Sequence, residues 1–328
     1  MFSVRVDQLI GCHNDIANQT RTGEDSMATQ EQIRNQITKQ IIEALEKGVQ
    51  PWRQPWIGTK NAGRPANVVS SNVYRGINPL LLSLHQLRHS FRSRWYGTFR
   101  QWHTLGGRIM KRPNDVPPGE WGCGIIYYCQ VSKTETDPDT GENVETSYPL
   151  LKSYSVFSID QIEGSHLDHL RAKDDGPVNT AFLDFEPAER AIAKTEANIK
   201  YQGDRAFYHR GGDYIQMPPK NKFPKESDFY ATSFHELAHW SEKRTGWEGN
   251  YAINELRAEI AAAYMLAELG VPQSEDLSNH QAYLKNWLQA LRNDNKYIFR
   301  ASTAANRAAD YVLSFSRQPE PEPAEVPF

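Results

Sequence analysis

In the stretch FYATSFHELAHWSEKRTG, residues 229–246, His235 and His239 stand four apart with Glu236 beside the first of them. On a helix, positions four apart share a face, so both imidazoles can reach one ion. Glu236 lies about 100° around the axis from His235, placed to face a water in the ion's open position. This is the HExxH pattern, in which two histidines ligate zinc and the glutamate serves as general base. The local sequence favours a helix. Phe234, Leu237 and Ala238 can face a core, no proline interrupts the run, and Gly246 terminates it. The alternative is a chance match on a polar surface helix.

A catalytic zinc takes three protein ligands and keeps one position open. Downstream, NELRAEIAAAYMLAELG, residues 254–270, reads as a second helix ending at Gly270 ahead of Pro272. Glu255 and Glu259 share a face with Ala262 and Ala263 that leads toward Leu266, the buried side. Buried carboxylates need a cation or hydrogen-bond donors; the alternative is that they are solvated or paired with Arg257. Glu259 borders the small residues that permit close helix packing and is the expected third ligand. Glu255 is the expected partner holding a histidine ring from behind, or the alternative ligand. Glu236 is the expected catalytic base. One zinc per chain is the expected cofactor, with another divalent metal as the alternative. Tyr208, Tyr214 or His209, just upstream, could steady an oxyanion. His209 and His280 are expected to be structural or surface residues rather than ligands.

The net charge of −3 conceals an asymmetry. From Arg34 to Lys133 there are 15 Lys and Arg against 4 Asp and Glu, which leaves 22 against 36 elsewhere. A basic first half suggests an anionic partner. That half is also rich in aromatics, and bases stack on aromatic faces while cations track phosphates, so the mixture suits single-stranded nucleic acid. The candidate DNA-binding residues are Trp52, Arg53, Trp56, Tyr74, Arg75, Arg94, Trp95, Arg100, Arg108 and Lys111. The alternative is that about half of the aromatics plug a core and the arginines form a solvated face.

The elements that position these residues read as an α+β chain of two domains. Residues 28–47 predict an amphipathic helix with Ile33, Ile37, Ile41 and Leu45 on one side, and further helices follow near 79–90 and 98–105. Two strands, GCGIIYYCQV and PLLKSYSVFSI, flank an acidic hairpin insertion with DTG turn chemistry. A small single-stranded-DNA-binding domain spans 28–163, a linker 164–185, and a mostly helical zincin-like domain with a short edge sheet 186–315. Residues 1–27 are expected to be a flexible tail and 316–328, rich in Pro and Glu, a disordered one. Three cysteines form neither a metal spacing nor a disulfide framework, and no apolar run is long enough to span a membrane. A reducing cytoplasm, without a membrane partner, is the expected compartment.

The ordered series PWRQPW, YRGIN, LGGRI, YSVFSIDQIEG, AFYHRGGDYIQMP, HELAHW and ELRAEIAAAYMLAELG resembles the antirestriction ArdC family. That family is related at its N-terminus to TraC-type plasmid primases. The resemblance covers roughly residues 28–315 and implies a single-stranded-DNA-binding domain followed by a metallopeptidase-like domain. It also implies protection of incoming plasmid or phage DNA from host restriction, with an unidentified protein substrate or restriction component as partner. His235, Glu236, His239 and a helix glutamate match the family's metal motif. Two departures stand out: the acidic insertion near 134–147, and Asn254 where another glutamate is expected. Three function classes follow: a DNA-linked zinc metalloprotease, a non-proteolytic shield for single strands with a structural zincin fold, and a replication or primase accessory protein. An intact Glu236 favours the first, because a structural zinc needs no base. The lack of a P-loop weighs against intrinsic nucleotidyl transfer.

Overall fold

The computed structural model describes residues 29–53, 61–136, 143–172, 185–273 and 281–317. Outside these lie the expected N-terminal tail, Trp56, the tip of the acidic insertion, the linker beyond residue 172, His280 and the chain end.

Helix α1 (Gln30–Glu46) opens at Thr29, whose hydroxyl accepts from the Gln32 N–H while the Gln32 side chain accepts from the Thr29 N–H. Its buried stripe of Ile37, Thr38, Ile41 and Leu45 follows helical spacing. Strand β1 (Ala66–Asn67) precedes α2 (Asn78–His89), which stops at Ser90 in left-handed backbone. Then come β2 (Trp95–Thr98), α3 (Phe99–Thr104), β3 (Arg108–Ile109), β4 (Cys123–Thr136), β5 (Asn143–Ser158) and β6 (Ile162–Glu163). The main sheet has the order β1-β2-β5-β4, and β3 pairs with β6. The expected insertion turns out to prolong the β4–β5 hairpin, which pairs antiparallel from Cys123↔Val156 to Thr136↔Asn143.

The second half begins with α4 (Glu186–Lys194) and a three-stranded sheet of β7 (Ile199–Tyr201), β8 (Phe207–His209) and β9 (Tyr214–Met217), in the order β7-β9-β8. Four helices follow: α5 (Glu226–Arg244), α6 (Tyr251–Leu269), α7 (Gln281–Asn293) and α8 (Tyr297–Ser314). The fold is α+β, with its sheets mostly in the first half and its helices mostly in the second. Among the described residues no helix is long and apolar enough to cross a membrane.

The halves share one core. Ile41, Leu45, Trp52 and Leu80 belong to the same buried cluster as Leu256, Ala261, Trp287 and Ala305. A smaller cluster of Trp102, Ile159, Ile162 and Leu167 closes the first half. Leu167 lies in the segment expected to begin a linker, and Arg171 just beyond it donates to the Ile159 carbonyl at 2.7 Å. Arg64 fastens the halves together. It is 1% exposed, donates to Asn306 of α8, lies 3.5 Å from Glu268 of α6 and sits 4.8 Å over the Tyr264 ring. Beside it, Gly63 holds φ +103°, and a Cβ there would stand 2.7 Å from the Ala267 carbonyl oxygen.

Removing the Arg64 guanidinium strands Asn306 and Glu268 next to a cavity. Arg64→Ala is expected to lower the unfolding free energy by about 3 kcal/mol. Urea titration followed by tryptophan fluorescence and by far-UV circular dichroism checks this. The parent should give coincident curves, since one core joins both halves.

Candidate metal centre

Helices α5 and α6 run antiparallel. Gly246 closes the first at φ +63°, and the Asn250 side chain caps the second by accepting from the Ile253 N–H at 3.1 Å. In the connecting turn the Trp247 indole N–H donates to Asn254 Oδ1 at 2.9 Å, and the Asn254 amide donates to the Gly249 carbonyl at 3.2 Å. Asn254, where a further glutamate is expected, therefore builds the turn. Small buried residues, Ala238 on α5 and Ala258, Ala261 and Ala262 on α6, permit close approach of the two backbones.

This packing brings the carboxylates of α6 to the imidazoles of α5. His235 Nε2 and His239 Nε2 stand 3.1 Å apart. Glu255 reaches both, with Oε2 3.5 Å from His235 Nε2 and Oε1 3.6 Å from His239 Nε2. Ligand atoms of these three residues all lie within 4.8 Å of one another. Glu259 Oε1 lies instead 3.0 Å from His235 Nδ1, on the far side of that ring. The geometry thus favours Glu255, the alternative ligand in the sequence reading, over Glu259 as the third donor. Because the helices are antiparallel, Glu255 is level with the gap between the rings, whereas Glu259, one turn on, is level with the back of His235. A fourth carboxylate is one that sequence reading missed: Glu242 Oε1 stands 2.9 Å from His239 Nδ1. Its only signal was a position three residues beyond His239 on the same helix.

The buried carboxylates favour a cation beside them. Glu236 and Glu242 are 7% and 5% exposed, and the side chains of Glu255 and Glu259 12% and 15%. The buried Arg257 feels the charge of Glu242 and donates its hydrogen bonds to the Ala238 carbonyl at 2.8 Å and to Ser241 Oγ at 2.7 Å. Two imidazole nitrogens and a carboxylate oxygen are the donors that divalent first-row metals take, so the residues present fit such an ion. Burial pushes the Glu236 carboxyl up from the usual carboxylate range. The neighbouring imidazoles and a hydrogen bond from the Tyr208 backbone oppose that shift.

These residues line a cavity of about 900 Å³. One wall is β8, whose only strand partner among the described residues is β9. The first half supplies Trp52 and Arg53, and α7 supplies Tyr283. Of the residues expected to face an oxyanion, Tyr208 and His209 are committed elsewhere. Tyr208 Oη donates to Asp213 at 2.7 Å, and Asp213 is held by Arg244. His209 Nδ1 accepts from the Gly212 N–H at 2.8 Å and its ring stacks on Tyr214.

The candidate DNA-binding residues are dispersed. Trp52, expected on a nucleic-acid surface, is 2% exposed and meets Trp287 edge-on at 5.9 Å, because it plugs the shared core. Arg53 is half-buried on the wall of the cleft. Tyr74 is half-buried with its hydroxyl pushed up to about 12 by burial, and Arg75 pairs with Asp310 of α8. Arg94 lies 5.1 Å from the Trp95 ring, whose indole N–H donates to Asn61 at 2.9 Å; both residues are half-buried. Arg100, Arg108 and Lys111 are exposed on and around α3 and β3, with Arg108 3.8 Å from Glu163. Exposed Phe99, stacked on His103, stands beside Arg100 in the sequence.

Residues 31–157 match the family described as the N-terminal domain of anti-restriction factor ArdC, and residues 186–304 match a zincin-like metallopeptidase family. A DNA primase TraC of Escherichia coli is 32% identical over 308 residues, 86% of this chain, but the chain spans only 27% of that primase. The uncharacterized protein y4eC of Sinorhizobium fredii (strain NBRC 101917 / NGR234) is 30% identical, with 85% of this chain and 91% of the relative covered. The crystal structure of the antirestriction ArdC protein from plasmid R388 in its metal-free form superposes with a TM-score of 0.69 at 33% identity, covering 87% of this chain and 97% of that one. Its Mn(II)-bound form gives 0.65 at 31%, covering 87% and 98%.

If Glu255 is a ligand and Glu242 and Glu259 orient rings, their losses differ in size. Glu242→Gln and Glu259→Gln should each weaken divalent-metal affinity by about 10–100-fold. Glu255→Ala should weaken it further than either. Competition titration against a chromogenic chelator reads all three, and the reverse ranking of Glu255 and Glu259 would restore the order expected from sequence.

Proposed function

Since the chain belongs to the ArdC antirestriction family, we propose that it binds single-stranded DNA through its first half and hydrolyses peptide bonds at the centre between α5 and α6. The observation that carries the peptidase reading is Glu236. A metal held only for structure needs His235, His239, Glu255 and the two glutamates behind the rings. It has no use for a further buried carboxylate beside the donors, lining the cavity. A bound divalent ion, zinc by its donor set, would supply Lewis-acid polarisation of water and of the substrate carbonyl. Glu236 takes a proton from the attacking water and later returns it to the leaving amine. The edge of β8 that has no strand partner among the described residues is suited to align an extended peptide by strand addition, with main-chain hydrogen bonds fixing its register.

For DNA, the support is the exposed group on and around α3 and β3: Phe99, Arg100, Arg108 and Lys111. Cations there can follow phosphates while an aromatic face takes a base. The protection of incoming DNA from restriction then combines two acts: holding the strand, and removing a protein that would attack it.

Two measurements test the two parts. Glu236→Gln is nearly isosteric and should retain metal and DNA binding while losing about 10²–10⁴-fold in cleavage of restriction-system proteins. Should that variant protect plasmid DNA as well as the parent, protection is by shielding and not by proteolysis. For DNA, the full-length chain should prefer single strands to duplex and lose affinity steeply with salt. The Arg100→Ala, Lys111→Ala pair should weaken binding across all sequences and flatten the salt slope. Equal affinity for duplex would remove the stacking argument.

A further inference from the structure

One phenol in the metal cleft has no role in the chemistry above. Tyr283 of α7 lines the same cavity as His235, Glu255 and Glu259. Its ring stacks on Trp287 at 5.9 Å and 19°. Trp287 is fully buried, and its indole N–H donates to the Ala252 carbonyl in the first turn of α6 at 3.0 Å. Trp52 meets Trp287 edge-on from the other half of the chain. The Tyr283 ring therefore rests on a rigid support. Its hydroxyl oxygen lies 2.8 Å from that of Tyr251, which is 65% exposed. When Tyr251 donates to Tyr283, the Tyr283 proton remains for a group inside the cleft.

We propose that Tyr283 donates a hydrogen bond to the scissile carbonyl oxygen as that oxygen gains negative charge, an inference that rests on the peptidase reading. The competing phenol, Tyr208, is occupied by Asp213. A phenol carries its proton at neutral pH, so the Tyr283 hydroxyl can act as a donor. In the reaction, the water oxygen bonds to the carbonyl carbon while Glu236 takes one water proton. The carbonyl oxygen becomes an anion, and Tyr283 donates to it without giving up its proton. When the C–N bond breaks, the amine leaves with the proton from Glu236 and the carbonyl re-forms within the product's carboxyl group. The second water proton is released as that carboxyl ionises. Tyr283 ends unchanged.

Tyr283→Phe removes only the hydroxyl and retains the ring that stacks on Trp287. The test uses the full-length zinc-loaded chain and a phosphinic pseudo-peptide with phenylalanine and leucine side chains flanking the phosphinate, a mimic of the tetrahedral oxyanion. Calorimetry should show binding about 10²-fold weaker in Tyr283→Phe, the scale of one lost oxyanion donor, with unchanged zinc content. Tyr251→Phe, altered at an exposed position, should give a smaller loss, and Tyr208→Phe none. If the parent binds the probe and Tyr283→Phe binds it equally well, the role of Tyr283 is overturned and the peptidase reading stands. If the zinc-loaded parent does not bind the probe, both fall together.

Discussion

The constraint on which the site depends is buried negative charge. Four carboxylates with little exposure face two imidazoles in the seam between α5 and α6. No hydrophobic gain along that seam removes the cost of keeping anions from water; a cation must offset it. The His235 imidazole registers the same demand. Burial works to lower its pKa, yet Glu255 and Glu259 together raise it well above the ordinary value, so a proton can stand where a metal ion would. Metal binding at such a centre is coupled to the folding of the helix pair, because the ion binds the packed seam and not the open chain.

The helix pair converts this constraint into a division of labour. Along α5, a step of four places the two imidazoles together, a step of three from His239 places Glu242 behind its ring, and one residue past His235 turns Glu236 away toward β8. Along α6, a step of four sends Glu255 between the rings and Glu259 behind one of them. Each imidazole thus has a carboxylate at Nδ1 and its Nε2 directed into the gap. That arrangement selects one ring orientation and increases the basicity of the ligating nitrogen.

Much of this was legible in sequence, and the misses share a cause. Helix limits follow from local signals: the glycines at 246 and 270, and the apolar spacing of α1. The HExxH geometry is likewise local to one helix. The order of Glu255 and Glu259 was not legible, because it depends on how far α6 slides along α5, and both residues satisfy the same periodicity. Trp52 reads as a base-stacking residue because its neighbours are prolines and basic side chains. Its burial is decided by Trp287, on the far side of the chain in sequence. The surplus of basic residues in the first half has the same weakness. A count cannot tell an exposed Lys111 from an Arg64 or Arg75 whose charge meets Glu268 or Asp310 in the other half.

Those long-range pairs make α6 a shared element of the two halves. Its first turns carry Tyr251 and Glu255 into the metal cleft. Its last turns carry Glu268, which meets both Arg64 and Arg317, and Ala267, whose carbonyl lies against Gly63. An α-helix is stiff over such a length, so the contacts of the Arg64 segment and the donors ride on one element. The same segment leads through β1 into the sheet that supports α3. A fragment ending near residue 163 would lose the partners of Trp52 and Arg64 together, exposing a tryptophan and leaving the Arg64 guanidinium without its acid. The first half is therefore a domain by sequence family whose core continues into the second half, and the placement of its exposed basic group on and around α3 and β3 is best regarded as a property of the whole chain.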